Sequence, residues 1–410
     1  MTGAPPPEPK LMRILSIPAL ALLLAIPASA RQSPDVTAAD LAAHQRMVVI
    51  DTHLDIPERW DDGQWDFGVR HLYAEDHSQV DLPRMDEGGL DGGFLAIYTP
   101  QGALTPQGYR EARDAALVRA AAIRRVLGEN RARIGLALTP DDALRLVRAG
   151  KHFGFISMEN SWPLGEDLSL LTTFYRLGVR LAGPVHFRNN QLADSATDTP
   201  HWNGLSPLGR QWVAEMNRLG ILIDASHSSD AVFDQLLELS RVPIIASHSG
   251  PRAIYDHPRN LDDGRMRRLA AAGGLLMINS VYLAPHDNSP ERDAIDERHK
   301  NWANLSAAER TQLLRDEAAL NRLHPPGTAD FDLYMRSMLH AIQVMGVDHV
   351  GLGADWDGGG GVIGMEDIAA LPRISARLRR EGLSDADIAK VMGGNLLRVL
   401  GQAQAGAARP

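Results

Sequence analysis

The sequence predicts a single-domain α/β protein, a (β/α)8 barrel of the TIM type with long loops after strands 1 and 7. After residue 46, eight short apolar runs alternate with amphipathic segments of helical length. Each run is continuously apolar, which is typical of parallel strands covered on both faces. Eight such β-then-α units favour a closed barrel. The alternative, a doubly wound sheet, would carry G-x-G-x-x-G after its first strand, and this chain does not.

The predicted strands occupy residues 47–50, 93–98, 153–157, 179–185, 221–223, 242–246, 274–278 and 349–353. Helical patterns between them include residues 109–127, 140–149, 207–219, 231–239 and 331–345. Two connections are long: residues 55–90 follow the first strand and residues 284–330 follow the seventh. In a barrel, segments that follow strands emerge on the face that carries active sites. We therefore expect both connections to act as lids or substrate walls.

The composition excludes several classes of function. The formal net charge of the 410 residues is −9, spread along the chain, and aromatic residues make up 5%. This balance argues against nucleic acid as a partner. The chain has no cysteine, which excludes disulfides, thiolate zinc sites and cysteine nucleophiles. Any bound metal must therefore use His, Asp and Glu side chains.

The first 30 residues have the features of a secretory signal peptide, so we expect residues 31–410 to form the mature domain. Lys10 and Arg13 flank the start of an apolar run over residues 14–26, and Ala28-Ser29-Ala30 offers a cleavage site. The run is too short to cross a bilayer, and an uncleaved N-terminal anchor is the alternative. We expect a periplasmic or secreted protein with no membrane contact after cleavage.

Titratable side chains stand at the predicted ends of most strands. They are His53 and Asp55 after strand one, Glu159 after strand three, His186 after strand four, His227 after strand five, His248 after strand six and Asp355 after strand eight. Taken singly, each histidine is compatible with a core position and Glu159 with a helix N-terminus. Because the carboxyl ends of barrel strands share one rim, the set is expected to converge on one active site.

The predicted cluster suits divalent metal ions. His53, Asp55, Glu159, His227 and His248 are five nitrogen and oxygen ligands, whereas a catalytic zinc uses about three protein ligands. Two ions bridged by a carboxylate, most simply zinc, therefore fit better, and Glu159 is the natural bridge. A hydroxide shared by the ions would be the nucleophile. Asp355 remains as a general base and proton shuttle, and His186 as a donor to the oxyanion.

Several segments give the chain a resemblance to the membrane (renal) dipeptidases, peptidase family M19. They are IDTHLD at 50–55, residues 178–194 around His186, GLSP at 204–207, GILIDASH at 220–227, SHS at 247–249, PRN at 258–260 and GLGADWDG at 351–358. The resemblance covers nearly all of the mature chain.

The resemblance implies a (β/α)8 binuclear zinc dipeptidase that hydrolyses the peptide bond of small dipeptides, including those with a C-terminal D-residue, and some β-lactams. By match to the family motifs, His53 and Asp55 would hold one zinc, and His227 and His248 the other. Glu159 would bridge them. His186 would contact the substrate carbonyl, Asp355 would transfer protons, and Arg259 would bind the substrate carboxylate, for which arginine provides a bidentate clamp.

The chain also departs from the family pattern. It lacks the disulfides and lipid anchor of animal members, which indicates a bacterial exported member. Ser280-Val281-Tyr282 displaces the aromatic residue expected soon after Asn279, and the 284–330 segment is long. These differences affect substrate preference rather than the reaction.

Two other functions remain as alternatives. A hydrolase of the wider amidohydrolase type would need an H-x-H motif and a carboxylated lysine at its active site. Lys151 lies at the start of its strand, the end away from the predicted site. A periplasmic metal- or peptide-binding protein would not need His186 and Asp355. The sequence does not fix the oligomeric state, and a homodimer is one arrangement it allows.

Overall fold

The computed structural model describes residue 1 and residues 35–61, 63–285, 289–300, 305–323 and 327–407. The described residues from 35 to 407 belong to one compact unit. The predicted signal peptide, residues 1–30, lies outside the described residues apart from Met1. Signal cleavage therefore stays a prediction. No helix within the described part of the chain combines the length and the apolar character that a membrane span requires.

One parallel sheet forms the centre of the fold. Its strands are β1 (Ile50–Leu54), β2 (Gly92–Ile97), β3 (Ile134–Leu136), β4 (His152–Met158), β5 (Val179–Ala182), β6 (Leu222–Ile223), β7 (Ile245–Ser249), β8 (Leu275–Ile278) and β9 (Val350–Leu352). Eight strands follow the order β6-β5-β4-β2-β1-β9-β8-β7, and β3 pairs with β4 outside this path. A single parallel bridge between Asp224 and Ile245 joins the two end strands. The predicted (β/α)8 barrel is thereby confirmed.

The helices follow the strands in the order the barrel requires. They are α1 (Ala38–His44), α2 (Tyr73–Asp76), α3 (Leu82–Gly88), α4 (Pro106–Glu129), α5 (Pro140–Arg148), α6 (Leu170–Leu177), α7 (Pro207–Leu219), α8 (Asp230–Leu239), α9 (Asp263–Ala271), α10 (Pro290–Lys300), α11 (Ala307–Leu323), α12 (Phe331–Met345), α13 (Leu371–Arg380), α14 (Asp385–Ala389) and α15 (Asn395–Ala405). Local sequence explains many of the starts. For example, Ser206 accepts a hydrogen bond from the Gly209 amide and Pro207 takes the first helical position of α7.

Apolar side chains from seven strands pack against α15 in one buried cluster. The strand members include Ile50, Phe94, Phe155, Leu181, Leu222, Ile245 and Leu275, and α15 contributes Leu396, Val399, Leu400 and Ala403. A barrel filled by side chains in this way is a solid core rather than a pore. The chemistry is therefore confined to the rim.

The strand bounds differ from the prediction at the places where polar residues enter the barrel. The first strand was expected at 47–50, but β1 runs over Ile50–Leu54 and includes His53. Similarly, β7 begins at Ile245 and includes His248. Register shifts interrupt the β1–β2 pairing between Asp51 and Leu54 and the β7–β8 pairing between Ala246 and Ser249. Such irregularities turn side chains in new directions and are frequent beside active sites.

The two long connections contact each other. The segment after β1 contains a 3-10 helix over Ile56–Trp60, then α2 and α3, while the segment after β8 contains α10 and α11. Nε2 of His77, directly after α2, lies 3.1 Å from Oε2 of Glu317 in α11. Both segments leave the carboxyl ends of their strands, as predicted. Their action as lids or substrate walls stays a prediction.

Candidate active site

The polar residues predicted at strand ends converge on one buried cluster. His53 lies in β1, Asp55 follows β1 and Glu159 follows β4. His227 follows β6, His248 lies in β7 and Asp355 follows β9. None of these six residues is more than 7% exposed. His186, four residues after β5, joins them at the edge of the cluster. Charged side chains are rarely buried to this extent unless they are paired or bind metal.

Glu159 occupies the centre of the cluster, and its two oxygens face different histidines. Oε2 lies 3.5 Å from Nε2 of His53. Oε1 lies 3.0 Å from Nε2 of His227 and 3.3 Å from Nε2 of His248. Nε2 of His186 is 3.6 Å from the same Oε1 atom. One carboxylate thus connects ligand groups that come from β1 and from the strands β6 and β7.

A second set of contacts surrounds His53. Its Nε2 atom lies 3.2 Å from Oδ2 of Asp55 and 3.9 Å from Oδ1 of Asp355. Three overlapping groups have ligand atoms mutually close enough to hold an ion: His53, Glu159 and His248; Glu159, His186 and His227; and His53, Asp55 and Asp355. Glu159 belongs to two of these groups, and so does His53. The donor set of imidazoles and carboxylates suits zinc or a similar divalent ion.

Two further observations show that these residues fit a metal centre. Nε2 of His53 and Oδ1 of Asp55 are buried and form no hydrogen bond within the described part of the chain. Gly358 lies against the carboxylates, and a Cβ atom there would stand 2.1 Å from Oδ2 of Asp55 and 2.3 Å from Oδ1 of Asp355. A side chain at this position would therefore intrude on the space beside the ligands.

Burial lowers the pKa of two of the histidines, whereas the carboxylates of Asp55 and Glu159 raise the pKa of His53 well above 6.5 against the effect of burial. Burial, together with the charge of Arg259, lowers the pKa of His227 well below its usual 6.5. Burial and the neighbouring His53 lower the pKa of His248 to about 4. Both rings are therefore neutral at pH 7, which is the form that binds metal. Burial acts the other way on carboxylates and, with Asp55 and Glu159 nearby, raises the pKa of Asp355 well above 3.8.

A hydrogen-bond relay orients His248. Its Nδ1 atom lies 2.8 Å from Oγ of Ser247, which donates a hydrogen bond to Asp224 at 2.5 Å. Because the serine proton goes to Asp224, Oγ must accept the proton of Nδ1. The lone pair of His248 is then on Nε2 and faces Glu159. Relays of this kind fix metal-binding histidines in proteins.

Asp51 fixes the opposite wall of the cluster. Its Oδ1 atom accepts a hydrogen bond from the His53 amide, and its Oδ2 atom accepts from the Ala354 amide and the Trp356 indole. The residues on either side of Asp355 are thereby tied to β1. Asp355 itself has φ +69°, and His227 has φ +66°, in the left-handed region that L-residues rarely adopt. Strained backbone of this kind is concentrated at functional sites.

Arg259 lies beside the cluster and is 3% exposed. Its Nη2 atom donates to the His248 carbonyl at 3.1 Å, and Nη1 donates to Oγ of Ser249 at 3.4 Å. The guanidinium carbon stands 5.0 Å from the centre of the Tyr282 ring. Within the described residues, no carboxylate forms an ion pair with Arg259. A buried cation in this state is suited to an anionic ligand.

The membrane dipeptidase (peptidase family M19) model matches residues 38–409. The chain belongs to this family. It is a dipeptidase, a hydrolase that acts on dipeptides, and the family is one of metallopeptidases.

Relatives and solved structures agree with this assignment. Dipeptidase tcpJ of Claviceps purpurea is 31% identical over 78% of this chain and 68% of its own length. The crystal structure of the probable dipeptidase PvdM from Pseudomonas aeruginosa is similar with a TM-score of 0.77 and 31% identity, over 90% of this chain and 98% of that one. A metallopeptidase from Rhodobacter sphaeroides, liganded with a phosphinate mimic of L-Ala-D-Ala, gives a TM-score of 0.69 and 25% identity over 87% and 99%.

The family assignment agrees with the position of Lys151. Its Nζ atom donates to the Arg131 carbonyl before β4 begins, at the end of the barrel away from Glu159. It is therefore not placed to act as the carboxylated lysine of other amidohydrolases, as the sequence indicated.

The structure brings all eight predicted site residues together, and it adds four that the sequence analysis did not select. The ring of Tyr98 lies 4.9 Å from that of His186, and Phe187 lies 3.9 Å from the same ring. Ser247 and Asp224 support His248. Tyr98 ends a predicted strand, so the rule that found the ligands could have found it. Asp224 and Ser247 also directly follow predicted strands, but serine and aspartate are common at such positions, so the rule alone does not single them out.

Proposed function

We propose that this dipeptidase is a binuclear zinc enzyme that cleaves unblocked dipeptides, including those with a C-terminal D-residue. One observation carries the proposal: the two oxygens of Glu159 face separate histidine groups, at 3.5 Å from His53 and at 3.0 Å and 3.3 Å from His227 and His248. A bridging carboxylate between two ions has this relationship to its neighbours.

In this proposal His53 and Asp55 hold one ion, His227 and His248 hold the other, and Glu159 serves both. When bound there, two zinc ions would supply an activated water and would polarise the substrate carbonyl. Five protein ligands without thiolates suit a site that keeps positions open for substrate. The neutral state of His227 and His248 favours binding at pH 7.

The remaining polar residues act on the substrate. Arg259 binds the C-terminal carboxylate, since it is a buried cation without a carboxylate partner in the described structure. His186 lies 3.6 Å from Glu159 and is placed to donate a hydrogen bond to the carbonyl oxygen as charge develops there. Asp355 accepts a proton from the attacking water and returns it to the leaving amine. Burial raises the pKa of Asp355 well above 3.8, which favours uptake of that proton by the carboxyl.

The stereochemical part of the proposal has separate support. The Rhodobacter sphaeroides metallopeptidase was solved with a phosphinate mimic of L-Ala-D-Ala. Arg259 recognises a carboxylate, which both stereoisomers present. We therefore expect L-Ala-D-Ala to be hydrolysed as well as L-Ala-L-Ala.

Metal removal and reconstitution test the proposal. The purified protein is depleted with a chelator and assayed for amino-acid release from L-Ala-L-Ala and L-Ala-D-Ala before and after zinc is added. We expect no release from the depleted protein and recovery with zinc. Absence of release after addition of zinc, manganese or cobalt would overturn the proposal.

Two further predictions concern the location and the oligomeric state of the protein. We propose that the protein is exported to the periplasm or medium and cleaved after Ala30, which N-terminal sequencing of the recovered protein tests. We also propose a homodimer, which light scattering on the purified protein tests. Neither enters the proposed mechanism, because every residue assigned to it belongs to one chain.

A further inference from the structure

Glu58 follows Asp55 on the rim of the barrel and has no role in the mechanism above. The 3-10 helix Ile56–Trp60 starts immediately after Asp55, and the Glu58 amide donates to the Asp55 carbonyl at 2.9 Å. One turn therefore separates the metal-ligand candidate from Glu58. The side chain of Glu58 is 43% exposed, whereas those of Asp55 and Glu159 are 9% and 8% exposed. Glu58 is thus the carboxylate of this group that a substrate can reach.

Glu58 lies on the same rim of the barrel as the cluster. The 3-10 helix that carries it leaves the carboxyl end of β1, and Asp55, Glu159 and Asp355 also follow the carboxyl ends of their strands. Tyr98, which directly follows β2 on this rim, has its ring centre 4.9 Å from that of His186. Glu58 therefore belongs to the face of the barrel on which the candidate site lies.

The charge of Glu58 is incompletely balanced within the protein. Nη1 of Arg119 is its nearest cation, at 3.7 Å. Arg119 is already engaged with Asp61, through Nε at 2.8 Å and Nη2 at 2.9 Å. One arginine therefore serves two carboxylates, and within the described residues Glu58 accepts no hydrogen bond.

A dipeptide carries opposite charges at its two ends. Arg259 stands beside His248 of β7, whereas Glu58 follows β1, three strands away in the sheet order. A substrate whose carboxylate binds Arg259 presents its other end away from β7. We propose that Glu58 binds an ammonium group on the N-terminal residue of the substrate. This inference rests on the proposed dipeptidase function. The ammonium has two sources, the α-amino group or a basic side chain of that residue.

A comparison of Glu58→Gln with Asp61→Asn tests the inference. Both substitutions remove a negative charge beside Arg119, but Asp61 is bound by two nitrogens of Arg119 and stands six residues after Asp55 rather than three. The zinc-loaded enzymes are assayed with alanyl-alanine, lysyl-alanine and norleucyl-alanine. Propionyl-alanine, which lacks the α-amino group, is measured as a competitive inhibitor. Metal content and thermal unfolding are recorded for each variant to confirm that both remain folded and loaded.

We expect Glu58→Gln to raise KM for ammonium substrates about 10- to 100-fold, as for a lost hydrogen bond between charged groups. We expect kcat to stay within a few-fold, because the contact acts on binding. Asp61→Asn should change KM less than about threefold, as for an exposed ion pair. If Glu58→Gln weakens binding of alanyl-alanine but not of propionyl-alanine, the group that Glu58 binds is the α-amino group. If it weakens binding of lysyl-alanine more than that of norleucyl-alanine, the group is the basic side chain.

Equal losses on all four compounds, or no loss at all, would overturn the role of Glu58 while leaving the dipeptidase function intact. Failure of the unmodified enzyme to cleave any of the three dipeptides would instead overturn the proposed function, and the inference with it.

Discussion

Nε2 of His227 lies 2.8 Å from Nε2 of His248, and both atoms lie within 3.3 Å of the same Glu159 oxygen. The two rings come from different strands and are buried. Burial keeps the pKa of each histidine below its usual value, so the nitrogens meet as neutral groups. A metal ion that accepts both lone pairs satisfies this arrangement, and Glu159 supplies the negative charge beside it.

Replacing the proposed bridge should weaken both ions together. We expect Glu159→Gln to lose affinity for each zinc by more than the roughly 10- to 100-fold typical of changes outside the ligand shell. Isothermal titration of the metal-free protein measures this. Glu215→Gln on α7, which removes a partly exposed partner of Arg218, is the control and should leave both affinities unchanged. Loss of one ion with normal binding of the other would contradict a bridging role.

Asp355 should affect the rate and not the metal content. Asp355→Asn keeps the size of the side chain but cannot take up a proton. We expect kcat to fall by about 10²–10⁴ with both ions retained, which is the usual contribution of general acid–base catalysis. Steady-state kinetics and elemental analysis of the same sample measure the two quantities. A variant that loses an ion would show that Asp355 is a ligand, in line with its distance of 3.9 Å from His53.

Arg259 should act on substrates that have a free C-terminal carboxylate. We expect Arg259→Ala to raise KM for dipeptides about 10- to 100-fold, which corresponds to the loss of a charge-assisted hydrogen bond. Dipeptide amides lack the carboxylate, so they should be poor substrates of the unmodified enzyme, and the substitution should change their KM little. Arg267→Ala, on the exposed face of α9, is the matched control. Equal losses on dipeptides and their amides would mean that Arg259 only supports the His248 carbonyl.

Ser247 should affect metal binding through His248. Ser247→Ala removes the hydroxyl that links His248 to Asp224, so the ring is free to change tautomer. We expect the affinity for zinc to fall about 10- to 100-fold. Ser337→Ala removes a buried hydroxyl that has no hydrogen-bond partner in the described structure, and should leave zinc affinity unchanged. Equal behaviour of the two variants would mean that the relay does not orient His248.

The sequence was sufficient to predict the barrel and the convergence of the ligands, because parallel strands bring their carboxyl ends to one rim. It did not predict the short strand β3, which has three residues and pairs with β4 outside the ring of eight strands. The end of β1 was also misplaced, because hydrophobicity alone would end this strand at Ile50, whereas it continues through the polar residues Asp51 and His53 to Leu54. The hydrogen bond between Ser247 and Asp224 joins residues 23 positions apart in the sequence. Such contacts depend on the direction of each side chain at an irregular strand end, which the sequence pattern does not give.

Zinc titration of the metal-free enzyme, followed by dipeptide hydrolysis at each step, tests the central claim most directly. Because Glu159 is proposed to bridge two ions that act together, activity should rise to its maximum at two equivalents of zinc per chain. Elemental analysis of the fully active enzyme should then give the same number. Full activity at one equivalent, with no further increase at two, would contradict a binuclear centre.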